Sequence, residues 1–181
     1  MSTKQEELEV FELNIPSDVK VSIKDNIVEV EGPKGKVSKD ISKIPANISI
    51  EESKIVITPY SNRKKHLAIA NTLRSIIRNM IKGVTQGFRY KLKIVYSHFP
   101  ISVKVKDNTV YIENFIGERA ARKARIVGDC KVRVEDEDII VEGINLEHVS
   151  QTAANIELAT KIKGKDLRVF LDGIYIYEKE K

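Results

Sequence analysis

Arg74, Arg78 and Lys82 follow one another at four-residue steps, so on a helix all three fall on one face. Arg63, Lys64 and Lys65 stand just ahead of them. Cationic groups in such a row suit one kind of chemistry: they neutralise the phosphates of a nucleic acid and release its counterions. The same residue types gather again at Arg119, Arg122, Lys123 and Arg125, and once more at Lys161, Lys163, Lys165 and Arg168. Gly32-Pro33-Lys34-Gly35-Lys36 adds two lysines on a loop. It is no P-loop, which needs four residues between its glycines and a Ser or Thr after the lysine. It shares the Gly-x-x-Gly outline of the KH clamp. That clamp joins two helices, whereas Val28-Glu29-Val30 reads as strand directly before this loop. The expected form is a tight hairpin presenting Lys34 and Lys36.

Other chemistries find little support. His66, His98 and His148 lie far apart, and none stands at a metal-binding spacing from another His or from Cys130. A general base needs a positioned partner and a nucleophilic thiol needs a base, and neither is marked. The acids Glu135 to Asp138 fall in a turn. The pattern therefore predicts no enzyme, no metal, no cofactor and no small-molecule substrate. No aromatic RNP motif, zinc finger or basic zipper is present, so recognition is expected through shape and backbone.

The distribution of charge strengthens the polyanion reading. From Ser53 to Lys106 there are 12 Lys or Arg and no Asp or Glu, on a chain whose net charge is only +5. One region is thus cationic on an otherwise mildly acidic molecule, the electrostatic footprint of a polyanion binder. With 41% hydrophobic residues, 6% aromatics and no Trp, the cores must rest on Val, Ile and Leu. The single Cys130 cannot form an internal disulfide, which fits a reducing compartment. Residues 1–7 lack the apolar stretch of a secretory leader, and no apolar run approaches the roughly 20 residues that span a bilayer. These features predict a cytoplasmic protein with no membrane partner.

The elements that must position these cations come twice. Val19 to Glu31 is echoed by Ile101 to Glu113, and Lys24-Asp25-Asn26 by Lys106-Asp107-Asn108. Ile48-Ser49-Ile50-Glu51 and Ile55-Val56-Ile57 recur as Val132-Arg133-Val134-Glu135 and Ile139-Ile140-Val141. Each copy is the size of a small domain. The fold class expected is α+β: two tandem duplicated domains, residues 1–86 and 87–181, each an antiparallel sheet packed against one helix. In the first copy, Val19, Val21 and Ile23 alternate with polar residues, and turn residues at 24–26 close a hairpin. Pro59 ends a later strand, Ser61 or Asn62 is expected to cap the helix, and Gly83 to stop it. Ile69, Leu73, Ile76, Ile77 and Met80 form its apolar stripe. In the second copy Asn145 precedes Leu146, Val149, Ala153 and Ile156 at helical spacing. The acidic first dozen residues and the closing Glu178-Lys179-Glu180-Lys181 are expected to fray.

Three ordered segments carry a family resemblance: Val30-Glu31-Gly32-Pro33-Lys34-Gly35, then Gly83 to Leu92, then Val149-Ser150-Gln151-Thr152-Ala153-Ala154-Asn155-Ile156. Together with the duplication, they make the chain similar to the ribosomal protein L-six family over nearly its whole length. The closing Lys163 to Tyr175 looks like the archaeal and eukaryotic branch. The resemblance implies a structural constituent of the large ribosomal subunit that supports translation. It also implies binding to large-subunit rRNA near the sarcin–ricin, factor-binding region, with neighbouring large-subunit proteins as further partners. The second repeat would then supply much of the contact, raising Lys161, Lys163, Lys165 and Arg168, whereas charge alone favours the first helix. Two other readings share the charge pattern: a general nucleic-acid binder, and a scaffold for an acidic protein.

Overall fold

In a computed structural model of the chain, residues 8–51, 53–166 and 168–180 are described. They divide into two compact units, Met1–Gln86 and Gly87–Lys181.

The first unit holds strands β1 (Phe11–Asn14), β2 (Lys20–Lys24), β3 (Ile27–Gly32), β4 (Gly35–Asp40), β5 (Ala46–Glu51) and β6 (Lys54–Pro59), then helix α1 (Lys64–Thr85). They form two antiparallel sheets, ordered β1-β6-β5 and β2-β3-β4. The β2–β3 hairpin closes through Asp25 and Asn26, both at positive φ, which short Asx side chains tolerate. Val28 and Val30 of β3, Ile55 and Ile57 of β6, and Leu73, Ile77 and Val84 of α1 are completely buried together as the core.

The second unit holds β7 (Phe88–Val95), β8 (Ser102–Lys106), β9 (Thr109–Glu113), a 3₁₀ turn at Phe115–Gly117, β10 (Arg122–Arg125), β11 (Lys131–Glu135), β12 (Asp138–Gly143), helix α2 (Leu146–Ala159) and β13 (Gly173–Glu180). Its sheets run β10-β9-β8 and β11-β12-β7-β13. Leu92, Val110, Ile112, Phe115, Ile139, Val141, Ile156 and Ile174 fill the core, and α2 presents Val149, Ala153 and Ile156 to it.

The α+β class and the duplication stand, with each unit dividing its strands between two sheets. Four local expectations differ. Neither Ser61 nor Asn62 is the N-cap of α1: Arg63 occupies that position, with no side-chain cap. Gly83 does not stop the helix but lies buried inside it, and the chain turns away at Gly87, whose φ is +77°. The buried stripe includes Ala70, Ile81 and Val84, while Ile69 and Ile76 are only half-buried at its margin. The ends are not frayed where described. Phe11 pairs with Ile57, and beyond a bulge between Ile176 and Glu178, Lys179 and Glu180 pair with Tyr90 and Arg89. Residues 1–7 and Lys181 lie outside the described set.

Candidate nucleic-acid interface

The fold sorts the basic residues by whether a carboxylate faces them. Many cations on strands are matched across the sheet, though Lys106, Lys123 and Arg125 are not. Lys54 pairs with Glu12 at 2.8 Å, Arg89 with Glu142 at 2.6 Å, and Lys91 with Glu178 at 2.8 Å. Lys93 meets Glu137 at 3.3 Å and Asp138 at 3.4 Å. Arg133 also reaches Glu142. Burial pushes the Glu142 carboxyl up, but the two guanidinium groups outweigh it and hold the carboxyl below its usual range. Surface pairs of this kind stabilise by at most about 1 kcal/mol each. Their larger consequence is electrostatic: much of the basic stretch is neutralised within the sheets.

What remains concentrates on α1. Arg63, Lys64, Lys65 and Arg78 are exposed, Arg74 and Lys82 are half-buried, and no acid stands in the first turn. Arg63, Lys64, Lys65, Arg74 and Arg78 make no ion pair with another described residue. Three cations at a helix N-terminus oppose the macrodipole, at about 0.3–1 kcal/mol apiece. Contrast α2, which begins with Asn145 accepting from the Glu147 amide at 2.9 Å and carries Glu147 in its first turn. Fold stability would choose the second arrangement, and local departures of this sort collect at functional sites. Because Arg74 and Arg78 sit outside the core, Arg74→Glu with Arg78→Glu should unfold within about 0.5 kcal/mol of the unaltered chain. Circular dichroism melting checks this, and loss of helical signal would place that face inside the packing.

The Gly32–Gly35 hairpin does not offer its lysines freely. Gly32 pairs with Gly35 across a two-residue turn of Pro33 and Lys34. The Lys34 amide donates to the Val84 carbonyl at 2.9 Å, and its ammonium donates to the Gln86 carbonyl. Lys36 is held by Glu29 at 2.8 Å, which raises its pKa. Of the two lysines expected as presented cations, Lys34 ties the hairpin to the end of α1, and Lys36 is paired within the hairpin itself.

In the second unit α2 positions β10. Asn155 donates to the Arg125 carbonyl at 2.9 Å, and Gln151 fixes the Asn155 amide at 2.9 Å. The Thr152 hydroxyl accepts from the Val127 amide at 3.0 Å. The Gln151-to-Asn155 segment is thus a clamp on the strand that carries Arg122, Lys123 and Arg125. Arg122 differs from the expectation for it. Its guanidinium forks onto Glu118 at 2.6 and 2.8 Å, donates to the Ala159 carbonyl at 2.9 Å, and lies 4.3 Å from the centroid of Phe115. It supplies the C-terminal cation that α2 itself lacks. Arg122 is accordingly an internal strut. Lys123 and Arg125 are exposed, as is Arg119.

The segment after α2 is irregular and locally tied. Thr160 donates to the Glu157 carbonyl and accepts from the Ile174 amide at 3.0 Å. Asp172 is buried and accepts from the Ser97 amide at 2.9 Å. Burial pushes its carboxyl up, yet the Ser97 and His98 amides hold it below the usual range. Between these anchors Lys161, Lys163 and Lys165 are exposed. Lys165 lies 4.9 Å from the Phe170 centroid. Arg168, 91% exposed, is paired with Asp166 at 3.2 Å. Two cations of the basic stretch that were not singled out as contacts, Lys104 and Lys106, are also exposed on β8; the strand register sets them across β9 from Lys123 and Arg125.

Among the described residues no group of His, Cys, Asp or Glu could hold a metal ion, and no helix is long and apolar enough to cross a membrane. Burial raises the pKa of the Cys130 thiol, which favours its protonated form.

The sequence profile of the family described as Ribosomal protein L6 matches residues 15–87 and again residues 99–173. The chain is 55% identical over 172 residues to the large ribosomal subunit protein uL6 of Staphylothermus marinus, covering 92% of each chain. It is 53% identical over 171 residues to that of Saccharolobus solfataricus, covering 93% of this chain and 94% of the other. Against that of Aeropyrum pernix it is 51% identical over 172 residues, covering 94% of each.

Proposed function

The chain belongs to the ribosomal protein L6 family, and on that footing we propose that it binds large-subunit rRNA near the sarcin–ricin, factor-binding region through the cations its own fold leaves unmatched. As a member of that family it is a structural, non-enzymatic constituent of the large ribosomal subunit, cytoplasmic and active in translation. Its partners in that setting are rRNA and neighbouring large-subunit proteins.

The observation that carries the proposal is the sorting of charge. Many sheet cations meet carboxylates, whereas Arg63, Lys64, Lys65, Arg74 and Arg78 on α1, and Arg119, Lys161 and Lys163 on loops, make no ion pair with a described residue. A folded RNA presents rows of phosphate, and each one neutralised releases counterion. The mechanism is positional: helices and hairpins hold the cations at fixed spacings, and many weak contacts act together. Nothing in this requires a reaction centre. Chemical footprinting of the protein on isolated large-subunit RNA should reveal protected backbone around the sarcin–ricin region. Protection spread evenly over the RNA would refute a specific site there.

A further inference from the structure

The duplication gives the protein an internal control, because sheet β2-β3-β4 of the first unit and sheet β8-β9-β10 of the second are copies. The register sets out the outer face of each. On β2-β3-β4, Lys20 faces Glu31, Ser22 faces Glu29, and Lys24 faces Ile27; on the other side Ser38 faces Glu29, Asp40 faces Ile27, and Lys36 faces Glu31. That face balances three lysines against three carboxylates, with Glu29 at its centre. On β8-β9-β10, Lys104 and Lys123 flank Tyr111 from opposite sides, and Lys106 and Arg125 flank Thr109 in the same way. Four cations surround the central tyrosine there, and Glu113, bound to Lys104 at 2.7 Å, is the one carboxylate among these positions. The central Glu29 of one copy has become Tyr111 in the other, Ser38 has become Lys123, and Asp40 has become Arg125.

On the inner faces the central strand is kept while the edge strand is not, since Val37 and Lys39 of β4 stand where β10 has Arg122 and Ala124. Val28 and Val30 match Val110 and Ile112, and all four are completely buried. The Arg122 change is accounted for by its contacts with Phe115 and Ala159, whereas the changes at Tyr111, Lys123 and Arg125 lie on the solvent side and are not demanded by packing. Lys104, Lys106, Lys123 and Arg125 are exposed and Tyr111 is half-buried, with the Lys123 ammonium 5.6 Å from its ring centroid. Residues two apart on a strand stand about 6.8 Å apart, and β8 and β10 about 9.6 Å apart across β9. An aromatic plane between two such rows of cations suits an unpaired nucleotide, with its base on the ring and flanking phosphates on the rows.

Resting on the rRNA-binding reading above, we propose that the outer face of the β8-β9-β10 sheet binds an unpaired segment of large-subunit rRNA by stacking a base on Tyr111 between Lys104 and Lys123. This adds a base contact to a protein expected to grip backbone alone, and it gives the second unit a task the first has lost or never had.

The test gives the second unit the residues of the first. A chain carrying Tyr111→Glu, Lys123→Ser and Arg125→Asp should keep its melting temperature, since a copy of the same sheet already tolerates those residues. Its affinity for a large-subunit rRNA fragment should fall at least about tenfold, and the slope of log affinity against log salt should shrink by about two. Because the chain has no Trp, Tyr111→Trp supplies a single reporter on the face. It should retain binding, and its fluorescence should be quenched as the fragment saturates. An unaltered chain that binds while the triple variant matches it, with no quenching at Trp, overturns the face and leaves the rRNA reading intact. A reduced slope without quenching reduces the face to phosphate contact and removes the stacked base. Undiminished RNA affinity with loss of a neighbouring ribosomal protein would assign the surface to protein instead. An unaltered chain that fails to bind the fragment ends both the reading and this inference.

Discussion

The variant Lys161→Glu, Lys163→Glu, Lys165→Glu should bind large-subunit rRNA about a hundredfold more weakly than the unaltered chain and melt within about 5 °C of it. Each phosphate contact contributes on the order of 1 kcal/mol at moderate salt, so three together approach about 3 kcal/mol, a factor of about a hundred. The salt slope should also fall by about three. Stability should hold because all three ammonium groups are exposed on a segment whose anchors are Thr160 and Asp172, neither of them altered. The Lys165 contact with Phe170 is an exposed cation–π pair, worth about 0.5–1 kcal/mol. Filter binding across a salt series measures both affinity and slope. Affinity unchanged within twofold would remove this segment from the interface and leave α1 and the β8-β9-β10 face to carry it.

Gly32→Val should destabilise the first unit by about 2 kcal/mol, lowering its melting midpoint by about 10 °C while the second unit is untouched. A Cβ on Gly32 would stand 2.7 Å from Val84 Cγ2 and 3.1 Å from the Val84 carbonyl oxygen. The same carbonyl accepts from the Lys34 amide at 2.9 Å, so the hairpin cannot retreat without breaking that bond. Val84 is completely buried on α1 and cannot retreat either. The Gly-Pro-Lys-Gly segment thereby earns its glycine through contact with a helix, not with phosphate. Calorimetry of the variant decides the point. An unchanged midpoint with weakened RNA binding would restore the loop to the role of phosphate contact.

Why some of this could be read in advance and some could not follows from the range of each interaction. Alternation at Val19, Val21 and Ile23, the Asx turn at 25–26 and the Asn145 cap are local, so neighbouring residues reveal them. The duplication was equally plain, because two copies of one strand pattern survive as similar strings. The partners of the cations were not. Glu118 lies four residues from Arg122, but Ala159, whose carbonyl makes Arg122 a strut, is 37 residues away. Lys36 meets Glu29 only because β3 and β4 pair in one register. The end of α1 was placed too early because a buried Gly83 looks, as a letter, like a helix stop. The basic stretch from Ser53 to Lys106 announced a cationic region, yet which of its charges survive folding depended on acids drawn from β12 and β13. Tyr111 carries no signal in the sequence, because one aromatic among alternating residues means nothing until its cross-strand neighbours are known.

One titration bears on the central claim more directly than any variant. The unaltered protein is measured against a large-subunit rRNA fragment spanning the sarcin–ricin region and against an unrelated RNA duplex of equal length, from low to physiological salt. Both affinities should fall as salt rises, while the preference for the rRNA fragment persists at about a hundredfold or more. Equal affinities that vanish together at physiological salt would contradict the account and leave only a basic surface without a designated RNA.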